Sequence, residues 1–286
     1  MIMDALKIIK SKLPALSKGQ KQIANYILNH YEKAAYMTAN KLGSEVGISE
    51  STVVRFAIEL GFDGYPELQK SLKELIKTKL TAVQRMEIAN SNMPKDNLPA
   101  RILLSDAEKI KATVDVLDSN ILDASVDALL NARRIYILAV RSSAPLASFM
   151  SFYLSLLFDN VKLVQTTSGS EMFEQLLHIS PKDAVVGISF PRYSKRIINA
   201  MSYAKACGAC TIALTDNATS PIATISNYTL LAKSDMVSFV DSLVAPLSVI
   251  NALIVAIGNK KGSSVEEQFK KLEDIWDEYD VYEKNN

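Results

Sequence analysis

The loop at residues 189–194 (SFPRYS) combines a guanidinium with several hydroxyl groups, and it follows an apolar run at 184–188 that is typical of a strand. A strand, a short polar loop and a helix start often bind an anion, because the helix N-terminus presents free backbone N–H groups. Arg192 can form two parallel hydrogen bonds with a phosphate or carboxylate, and Ser189 and Ser194 add hydroxyl donors. We therefore predict an anion site here. The alternative is that Arg192 pairs with a carboxylate at a subunit contact.

Two further polar loops follow strand-type runs and supply the remaining candidate ligand-binding residues. These residues are Arg141, Ser142 and Ser143 after the run 134–140, and Thr166 and Thr167 after the run 161–164. The carboxyl ends of parallel strands share one edge of a sheet, so we expect all of these side chains at one site. The alternatives are that the serines only cap the next helix and that the threonines only contact solvent. Ser168 and Glu171 have the spacing of a capping box.

A separate set of polar residues lies within residues 39–62 (ANKLGSEVGISESTVVRFAIELGF). A short helix, a turn at Gly47 and a second capped helix together have the pattern of a helix-turn-helix. Val53, Ala57 and Leu60 recur at helical spacing, so we expect them to face the core of this part of the chain. The opposite face of the second helix is then available to contact DNA.

The outward face of that second helix carries Ser51, Thr52 and Arg55. Hydroxyls near a helix start can bond phosphate oxygens or base edges, and Arg55 can reach a guanine edge or a phosphate. The alternative is that Arg55 only pairs with Glu59, four residues later. The complete set of predicted DNA-contacting residues is Thr38, Lys41, Ser49, Ser51, Thr52 and Arg55.

The elements that must position the DNA-contacting residues are helices. Residues 1–80 show helical spacing throughout, and Ser17, Thr38 and Ser49 stand where N-terminal caps are expected. Pro66 stands in the first turn of a last helix, a position that proline tolerates because the missing N–H would have no partner there. We therefore predict an all-helical domain over residues 1–80.

The remainder of the chain has a different pattern. Residues 81–105 are mixed, contain two prolines and are predicted to form a linker. Residues 106–286 are predicted to form the second domain, in which helical stretches alternate with five apolar runs, at 134–140, 161–164, 184–188, 211–214 and 228–231. This alternation predicts a parallel sheet covered by helices on both faces.

Composition is that of a globular protein, with 286 residues, 48% hydrophobic residues and a net charge of +1. The charge is uneven, because residues 1–80 hold 12 Lys and Arg against 8 Asp and Glu. A basic N-terminal part on a mildly acidic remainder fits a DNA-binding domain on a larger body. Chance asymmetry would explain the charge balance equally well.

No cofactor or metal site is predicted. The two cysteines, Cys207 and Cys210, close a helix and enter a strand, the reverse of a redox motif, and we expect them to be small buried residues. No signal peptide is evident, since Asp4 and Lys7 interrupt any early apolar run. The uncharged stretch 242–258 is too short for a comfortable membrane span. We expect a cytoplasmic protein with no membrane contact.

Residues 37–72 (MTANKLGSEVGISESTVVRFAIELGFDGYPELQKSL) resemble the N-terminal domain of the RpiR family of bacterial transcription regulators. A generic helix-turn-helix does not continue with Arg-Phe-x-x-x-Leu-Gly-Phe-x-Gly-Tyr. The resemblance covers nearly the whole chain and is looser beyond the N-terminal domain. It implies an all-α helix-turn-helix head joined to an α/β three-layer SIS (sugar isomerase) domain with a five-stranded parallel sheet.

The predicted SIS domain departs from the usual loops of its family. After the first strand the family usually has Gly-x-Gly-x-Ser, whereas here Ala139 and Arg141 stand at the glycines and Ser143 at the serine. After the third strand it usually has Ser-x-Ser-Gly-x-Thr/Ser, and here Pro191 and Arg192 replace the middle pair. The resemblance therefore implies an anion pocket with altered chemistry.

These features predict a DNA-binding regulator that senses a small anionic effector, either a phosphosugar or a sugar acid. Two alternatives stay open, a sugar-phosphate isomerase with Glu171, Glu174 or His178 as base, and a regulator whose SIS domain only dimerises. The partners implied are operator DNA, the effector and further copies of the chain, in a homodimer or homotetramer. The apolar segment 237–257 offers one surface for that association.

Overall fold

The computed structural model describes residues 5–79, 83–84, 86, 97–166, 168–234 and 240–282. The chain divides into two compact units, Met1–Pro94 and Lys95–Asn286, which we call the head and the body. Part of the linker expected at 81–105 is structured, because residues 98–105 begin a helix of the body. Pro99 stands in the first turn of that helix, where proline is tolerated, and not in a loop. Residues 87–96 lie outside the described residues, so the domain boundaries stay a prediction.

The described head is made of helices. They are α1 (Ala5–Lys12), α2 (Lys18–Ala34), α3 (Ala39–Val46), α4 (Glu50–Glu59) and α5 (Tyr65–Lys79). The cap predicted at Ser17 is confirmed, since its hydroxyl accepts from the Gln20 N–H and the Gln20 side chain accepts from the Ser17 N–H. The cap predicted at Thr38 is also confirmed, with the Lys41 N–H 3.1 Å from its Oγ1. These caps fix where α2 and α3 begin.

The body is built on a parallel five-stranded sheet in the order β2-β1-β3-β4-β5. Its strands are β1 (Ile135–Leu138), β2 (Val161–Val164), β3 (Ala184–Ile188), β4 (Cys210–Thr215) and β5 (Tyr228–Leu231). Three strands match the predicted ranges, β1 is shorter and β4 extends one residue further at each end. β1 and β3 are neighbours, with Leu138 opposite Gly187.

Helices cover both faces of this sheet. They are α6 (Leu98–Val114), α7 (Ser119–Leu130), α8 (Ala144–Ser155), α9 (Gly169–Gln175), α10 (Lys195–Ala206), α11 (Val244–Lys261) and α12 (Ser263–Glu278). One core contains buried residues of α7, α8 and α11, and the other contains those of α9 and α10. The predicted three-layer α/β fold with a five-stranded parallel sheet is confirmed. None of the helices in the described ranges is long and apolar enough to cross a membrane.

An ion pair holds the amino ends of β1 and β3 together. Arg133 donates to both carboxylate oxygens of Asp183, at 2.9 and 2.8 Å, and the Asp183 side chain has no exposed surface. The Ser180 N–H and hydroxyl donate to the same carboxylate. Burial alone would raise the pKa of Asp183, but the hydrogen bonds from Arg133 and Ser180 outweigh burial and hold it below the usual value. The pair therefore fixes the register of the two strands that lead into the candidate ligand site.

Candidate functional site

The turn between α3 and α4 has the close geometry of a helix-turn-helix. Gly47 ends α3 with a φ of 70°, a backbone conformation that glycine adopts without steric cost. The Ile48 N–H donates to the Gly43 carbonyl at 2.8 Å, and a Cβ at Gly43 would lie 2.5 Å from the Ile48 carbonyl oxygen. Only glycine fits at position 43, which fixes how closely the two helices cross.

Helix α4 has one buried face and one exposed face. Val53, Phe56 and Ala57 are fully buried, and Leu60 is nearly so, which confirms the face that helical spacing predicted. Its last turn is also held, because the Lys12 side chain donates to the Glu59 carbonyl at 2.7 Å. The opposite face of α4 is consequently fixed in orientation and open to solvent.

The structure brings Ser49, Ser51, Thr52 and Arg55 together on that open face. The Ser49 hydroxyl lies 3.1 Å from that of Ser51 and 2.9 Å from that of Thr52. The Arg55 guanidinium donates to the Ser51 carbonyl and to the Thr52 hydroxyl, both at 3.3 Å. The Arg55 side chain thus points toward the start of α4 and away from Glu59. The alternative, in which Arg55 only pairs with Glu59, is not what the structure shows.

Ser49 departs from its predicted role as a capping side chain. It occupies the N-cap position of α4, but its hydroxyl makes no cap bond to the backbone there. The nearby hydroxyls of Ser51 and Thr52 compete for it. A cap at this position would have withdrawn the Ser49 hydroxyl from solvent, whereas the observed cluster leaves three hydroxyls at the surface.

Thr38 is the N-cap residue of α3 and Lys41 lies in the first turn of α3, so neither belongs to the hydroxyl cluster of α4, and both are exposed. The two helices are joined at the surface by Asn40, whose side chain donates to the Glu50 carboxylate at 3.4 Å. Glu50 lies in the first turn of α4, where a negative charge also interacts favourably with the helix dipole. Its contact with Asn40 keeps a negative charge beside the candidate DNA interface, where it can restrict which phosphate positions α4 tolerates.

A buried tyrosine anchors the start of α3. The Tyr65 hydroxyl donates to the Met37 carbonyl at 2.8 Å, and the Gln69 side chain donates to the same carbonyl at 2.7 Å. Burial raises the pKa of Tyr65 to about 12. Because Met37 immediately precedes Thr38, these bonds position one of the predicted DNA-contacting residues. Tyr65 lies 27 residues after Thr38 in the chain, so this contact has no local pattern in the sequence.

The candidate ligand site lies at the carboxyl ends of β1 and β3, where the order of strands reverses. The loop after β1 leads to α8 on one face of the sheet, and the loop after β3 leads to α10 on the other face. The two loops therefore diverge, and open α/β sheets bind ligands in the gap so formed. We call the gap between loops 139–143 and 189–194 the crevice.

The loop after β1 is a 3-10 turn, Arg141–Ser143, that places three of the predicted residues. Arg141 and Ser142 are exposed, and Arg141 has a φ of 57°. Ser143 is only 6% exposed, and within the described residues its hydroxyl has no hydrogen-bond partner. The Ser143 side chain makes no cap bond to α8. The alternative in which the serines only cap this helix is therefore wrong for Ser143.

The loop after β3 brings Ser189 and Ser194 together. Ser189 is 4% exposed, and its hydroxyl accepts from the Ser194 N–H at 3.4 Å. Ser194 is the N-cap residue of α10 but makes no side-chain cap bond, which leaves its hydroxyl available to a ligand. Arg192 is exposed between them, with a φ of 67°.

The loop after β2 forms its own hydrogen-bond network. The Thr166 hydroxyl donates to the Glu171 carboxylate and accepts from the Ser168 N–H at 2.9 Å. The Ser168 hydroxyl bonds that of Ser170 at 2.8 Å and makes no cap bond to α9. The predicted capping box of Ser168 and Glu171 is therefore wrong, because the Glu171 carboxylate accepts from the Thr166 hydroxyl instead of the Ser168 N–H. Thr167 lies outside the described residues.

Two residues of the site were missed by sequence reasoning. The Tyr193 hydroxyl donates to the Asp216 carboxylate at 2.8 Å, and the Thr215 hydroxyl donates to the same oxygen at 3.3 Å. Asp216 is 6% exposed and follows β4 directly. This bond ties the Arg192 loop to the end of the neighbouring strand. An acidic residue at the end of a buried strand was the signal that could have revealed it.

The cysteines differ from the prediction in one respect. Cys207 and Cys210 are each half-buried and not fully buried, because one ends α10 and the other begins β4 at the amino edge of the sheet. Burial raises the pKa of the Cys210 thiol. Within the ranges that the structure describes, no group of three or more His, Cys, Asp or Glu side chains is placed to hold a metal ion.

Together the turn of the head and the crevice of the body define a transcription regulator with a helix-turn-helix and a separate α/β domain. The family model "helix-turn-helix domain, rpiR family" matches residues 3–79, and the SIS domain model matches residues 128–256. The two models together match well over half of the chain. The chain belongs to the RpiR family of transcriptional regulators.

Relatives agree with this assignment. An uncharacterised HTH-type transcriptional regulator of Caldanaerobacter subterraneus is 26% identical over 92% of this chain and 93% of its own length. The sugar isomerase domain of an RpiR transcription factor from Sphaerobacter thermophilus covers 62% of this chain and 99% of its own, with 24% identity and a TM-score of 0.60. Vibrio vulnificus NanR, solved in complex with ManNAc-6P, covers 95% of this chain and 97% of its own, with 17% identity and a TM-score of 0.60. These two structures support the fold.

Proposed function

We propose that this regulator binds operator DNA through the open face of α4 and that a small anionic metabolite in the crevice controls the binding. The metabolite class that fits best is a phosphosugar or a related sugar derivative. The observation that carries the proposal is the exposed cluster of Ser51, Thr52 and Arg55 on a helix whose other face is buried. The protein acts in the cytoplasm, where its DNA lies.

On the DNA side, α4 lies in the major groove with its N-terminal turn nearest the bases. Arg55 can bond the O6 and N7 atoms of a guanine, and the hydroxyls of Ser51 and Thr52 can bond base edges or phosphates. Thr38 and Lys41 contact the phosphate backbone from α3. The hydrogen bonds from Arg55 to its own helix hold the guanidinium in place before DNA arrives, so less side-chain entropy is lost on binding.

On the ligand side, the crevice offers the hydroxyls of Ser143 and Ser194 and the guanidiniums of Arg141 and Arg192. Among the described residues none of these four groups makes a hydrogen bond through its side chain, and all lie at the carboxyl ends of neighbouring strands. The ManNAc-6P bound to V. vulnificus NanR supports a phosphosugar for this chain as well. The function proposed here is binding and not catalysis.

The regulator is proposed to act as a homodimer or homotetramer whose paired heads read a near-palindromic operator. Exposed apolar side chains on α8 and α11 support such an assembly, since Phe152 is 62% exposed and Val255 is 60% exposed. Residues 240–257 of the apolar segment 237–257 are described, and residues 237–239 are not. The effector controls DNA binding if its affinity differs between two arrangements of the paired heads.

A gel-shift assay tests the proposal. Purified full-length protein is titrated onto DNA from upstream of its own gene, with and without a panel of phosphosugars and sugar acids. We expect a retarded band whose midpoint shifts with at least one panel member. The absence of any retarded band rejects the DNA-binding role. A band that no panel member shifts favours the alternative in which the SIS domain only dimerises, and sugar-phosphate turnover by the protein favours the isomerase alternative.

A further inference from the structure

Two arginines of the crevice have a backbone conformation that arginine rarely adopts. Arg141 has a φ of 57° and Arg192 a φ of 67°. The described residues contain two other non-glycine residues with positive φ, Asn97 and Asp280, and their short side chains suit this region. Glycine would occupy positions 141 and 192 at no steric cost. Both loops therefore hold a long cationic side chain against a backbone preference for glycine.

The guanidinium groups of Arg141 and Arg192 do not stabilise the described parts of the fold. Within those parts, Arg141 and Arg192 make no hydrogen bond or ion pair, and both are exposed. Arg133, by contrast, pairs with Asp183 at the other edge of the sheet. A strained residue whose side chain stabilises nothing in the fold points to a ligand, because backbone strain of this kind concentrates at binding sites.

The two arginines flank the crevice on opposite sides. Arg141 begins the turn that leads to α8 on one face of the sheet, and Arg192 precedes α10 on the other face. Their strands, β1 and β3, are hydrogen-bonded neighbours. Two positive charges thus lie at one switch point of the sheet, beside the buried Ser143 hydroxyl.

From this arrangement we propose that Arg141 and Arg192 act as a pair that selects a doubly charged anionic group, a phosphate monoester, over a singly charged carboxylate or sulfate ester. This inference rests on the proposed ligand-binding function of the crevice. A phosphate monoester carries about −1.5 to −2 charge near neutral pH, so it neutralises both guanidiniums and has enough oxygens to bond both. A singly charged group leaves one of the two cations uncompensated.

Matched esters give the sharpest test. Full-length protein is titrated by calorimetry with 6-phosphates of hexoses and hexosamines, each paired with the 6-sulfate of the same sugar. The two esters have similar shape and differ in charge. For any sugar that binds, we expect the phosphate to bind at least about tenfold more tightly than the sulfate, since about 1.4 kcal/mol corresponds to a factor of ten.

Two glycine variants separate selection from folding. Arg141→Gly and Arg192→Gly should each reduce the phosphate preference, and the double variant should abolish it. Because glycine suits both positions, the melting temperature of each variant should be unchanged or higher. The control is Arg134→Ala, which removes an exposed arginine at the amino edge of β1 and should leave the preference unchanged.

Three outcomes would overturn the inference. One is equal affinity of the wild-type protein for the phosphate and sulfate esters, and another is a panel in which no phosphate ester binds. The third is a pair of glycine variants that melt earlier but keep the wild-type preference, which would make the arginines structural. A protein whose gel shift responds to a sugar acid but which shows no phosphate preference would retain the proposed function and lose this inference alone.

Discussion

The open face of α4 and the crevice of the body both present arginine and hydroxyl groups, but they hold them in different ways. On α4, Arg55 is bonded to Ser51 and Thr52 within its own helix. In the crevice, Arg141 and Arg192 stand on loops with positive φ and have no partner among the described residues. The first site is organised by one regular helix, whereas the second depends on how separate strands are placed.

This difference explains what each site requires of the fold. The face of α4 needs only the turn at Gly47 and a buried opposite side, both of which are local. The crevice needs β1 and β3 in register, the pair of Arg133 and Asp183 behind them and the bond from Tyr193 to Asp216. Changes remote from the ligand should therefore damage the crevice more easily than the DNA-binding face.

The largest expected effect comes from breaking the ion pair of the body. Asp183→Asn leaves the Arg133 guanidinium without its charged partner and should destabilise the body by up to about 3 kcal/mol. That is the low end of the range for buried pairs, because the Arg133 side chain is half exposed. Fluorescence of Trp276, the only tryptophan and a residue of the body, measures this unfolding.

An exposed ion pair provides the matched control. Asp127→Asn breaks the ion pair with Lys260, in which the Asp127 side chain is 58% exposed and the Lys260 side chain is 42% exposed. This substitution should change the free energy of unfolding by less than about 1 kcal/mol. Equal effects of Asp127→Asn and Asp183→Asn would show that burial of Asp183 does not matter.

Acid should distinguish the wild-type protein from the Asp183→Asn variant. The pKa of Asp183 lies below its unfolded value of about 3.9, so its stabilisation is complete above that value and is lost as the pH falls through the folded pKa. The wild-type body should lose stability over this acidic range, and Asp183→Asn should lose less. Urea unfolding at pH 7 and at pH 3, followed by Trp276 fluorescence, makes the comparison.

A substitution at Gly43 should destabilise the head and leave the stability of the body unchanged. Gly43→Ala places a Cβ 2.5 Å from the Ile48 carbonyl oxygen, so α3 and α4 must move apart, at a cost of about 1–3 kcal/mol. Circular dichroism should show earlier loss of helix, while Trp276 fluorescence is unchanged. Gly258→Ala is the control, because a Cβ there meets nothing within 4 Å inside α11 and should stabilise by about 0.5–1 kcal/mol.

Much of the helical head and the five strands of the parallel sheet could be predicted from sequence, because both follow from short-range patterns. Caps at Ser17 and Thr38 and the buried face of α4 follow from residues within one or two turns. The RpiR resemblance then implied the fold class of the body, a three-layer α/β SIS domain. At residues 98–105 two nearby prolines indicated a linker, whereas the structure shows a helix with Pro99 in its first turn.

The details of the ligand site could not be predicted in the same way. The bond between Tyr193 and Asp216 joins residues 23 positions apart, and it exists only because β3 and β4 are neighbours. The capping box at Ser168 failed because Thr166, five residues before Glu171, competed for that carboxylate. Composition and spacing do not indicate the positive φ of Arg141 and Arg192, and the only signal for it was that the family usually has glycine at both positions.

A smaller effect is expected at the anchor of α3. Tyr65→Phe removes the hydrogen bonds to the carbonyls of Met37 and Ala34 and should destabilise the head by about 1 kcal/mol. Tyr26→Phe is the control, because the half-buried Tyr26 contacts the side chains of Met37, at 4.0 Å, and Glu45 rather than the backbone that precedes α3. Thermal unfolding by circular dichroism measures both variants, and a larger loss for Tyr26→Phe would contradict the assigned anchor.

Alkaline pH should act on the same anchor. The pKa of Tyr65 is raised to about 12 from an unfolded value of about 10, so the protonated hydroxyl stabilises the head fully below pH 10. That contribution is lost as the pH rises from about 10 to 12. Tyr65→Phe should flatten this part of the stability profile, and a profile unchanged by the substitution would exclude the role of Tyr65.

The most direct test of the account is the affinity of the Arg55→Ala protein for its upstream DNA. Fluorescence anisotropy at fixed salt should show binding weakened by about 1–3 kcal/mol, roughly fivefold to 150-fold, relative to the wild type. Glu59→Ala, one turn further along α4, should bind at least as tightly as the wild type. Equal affinity of Arg55→Ala and the wild type, with both proteins folded, would contradict the assignment of α4 as the DNA-binding face.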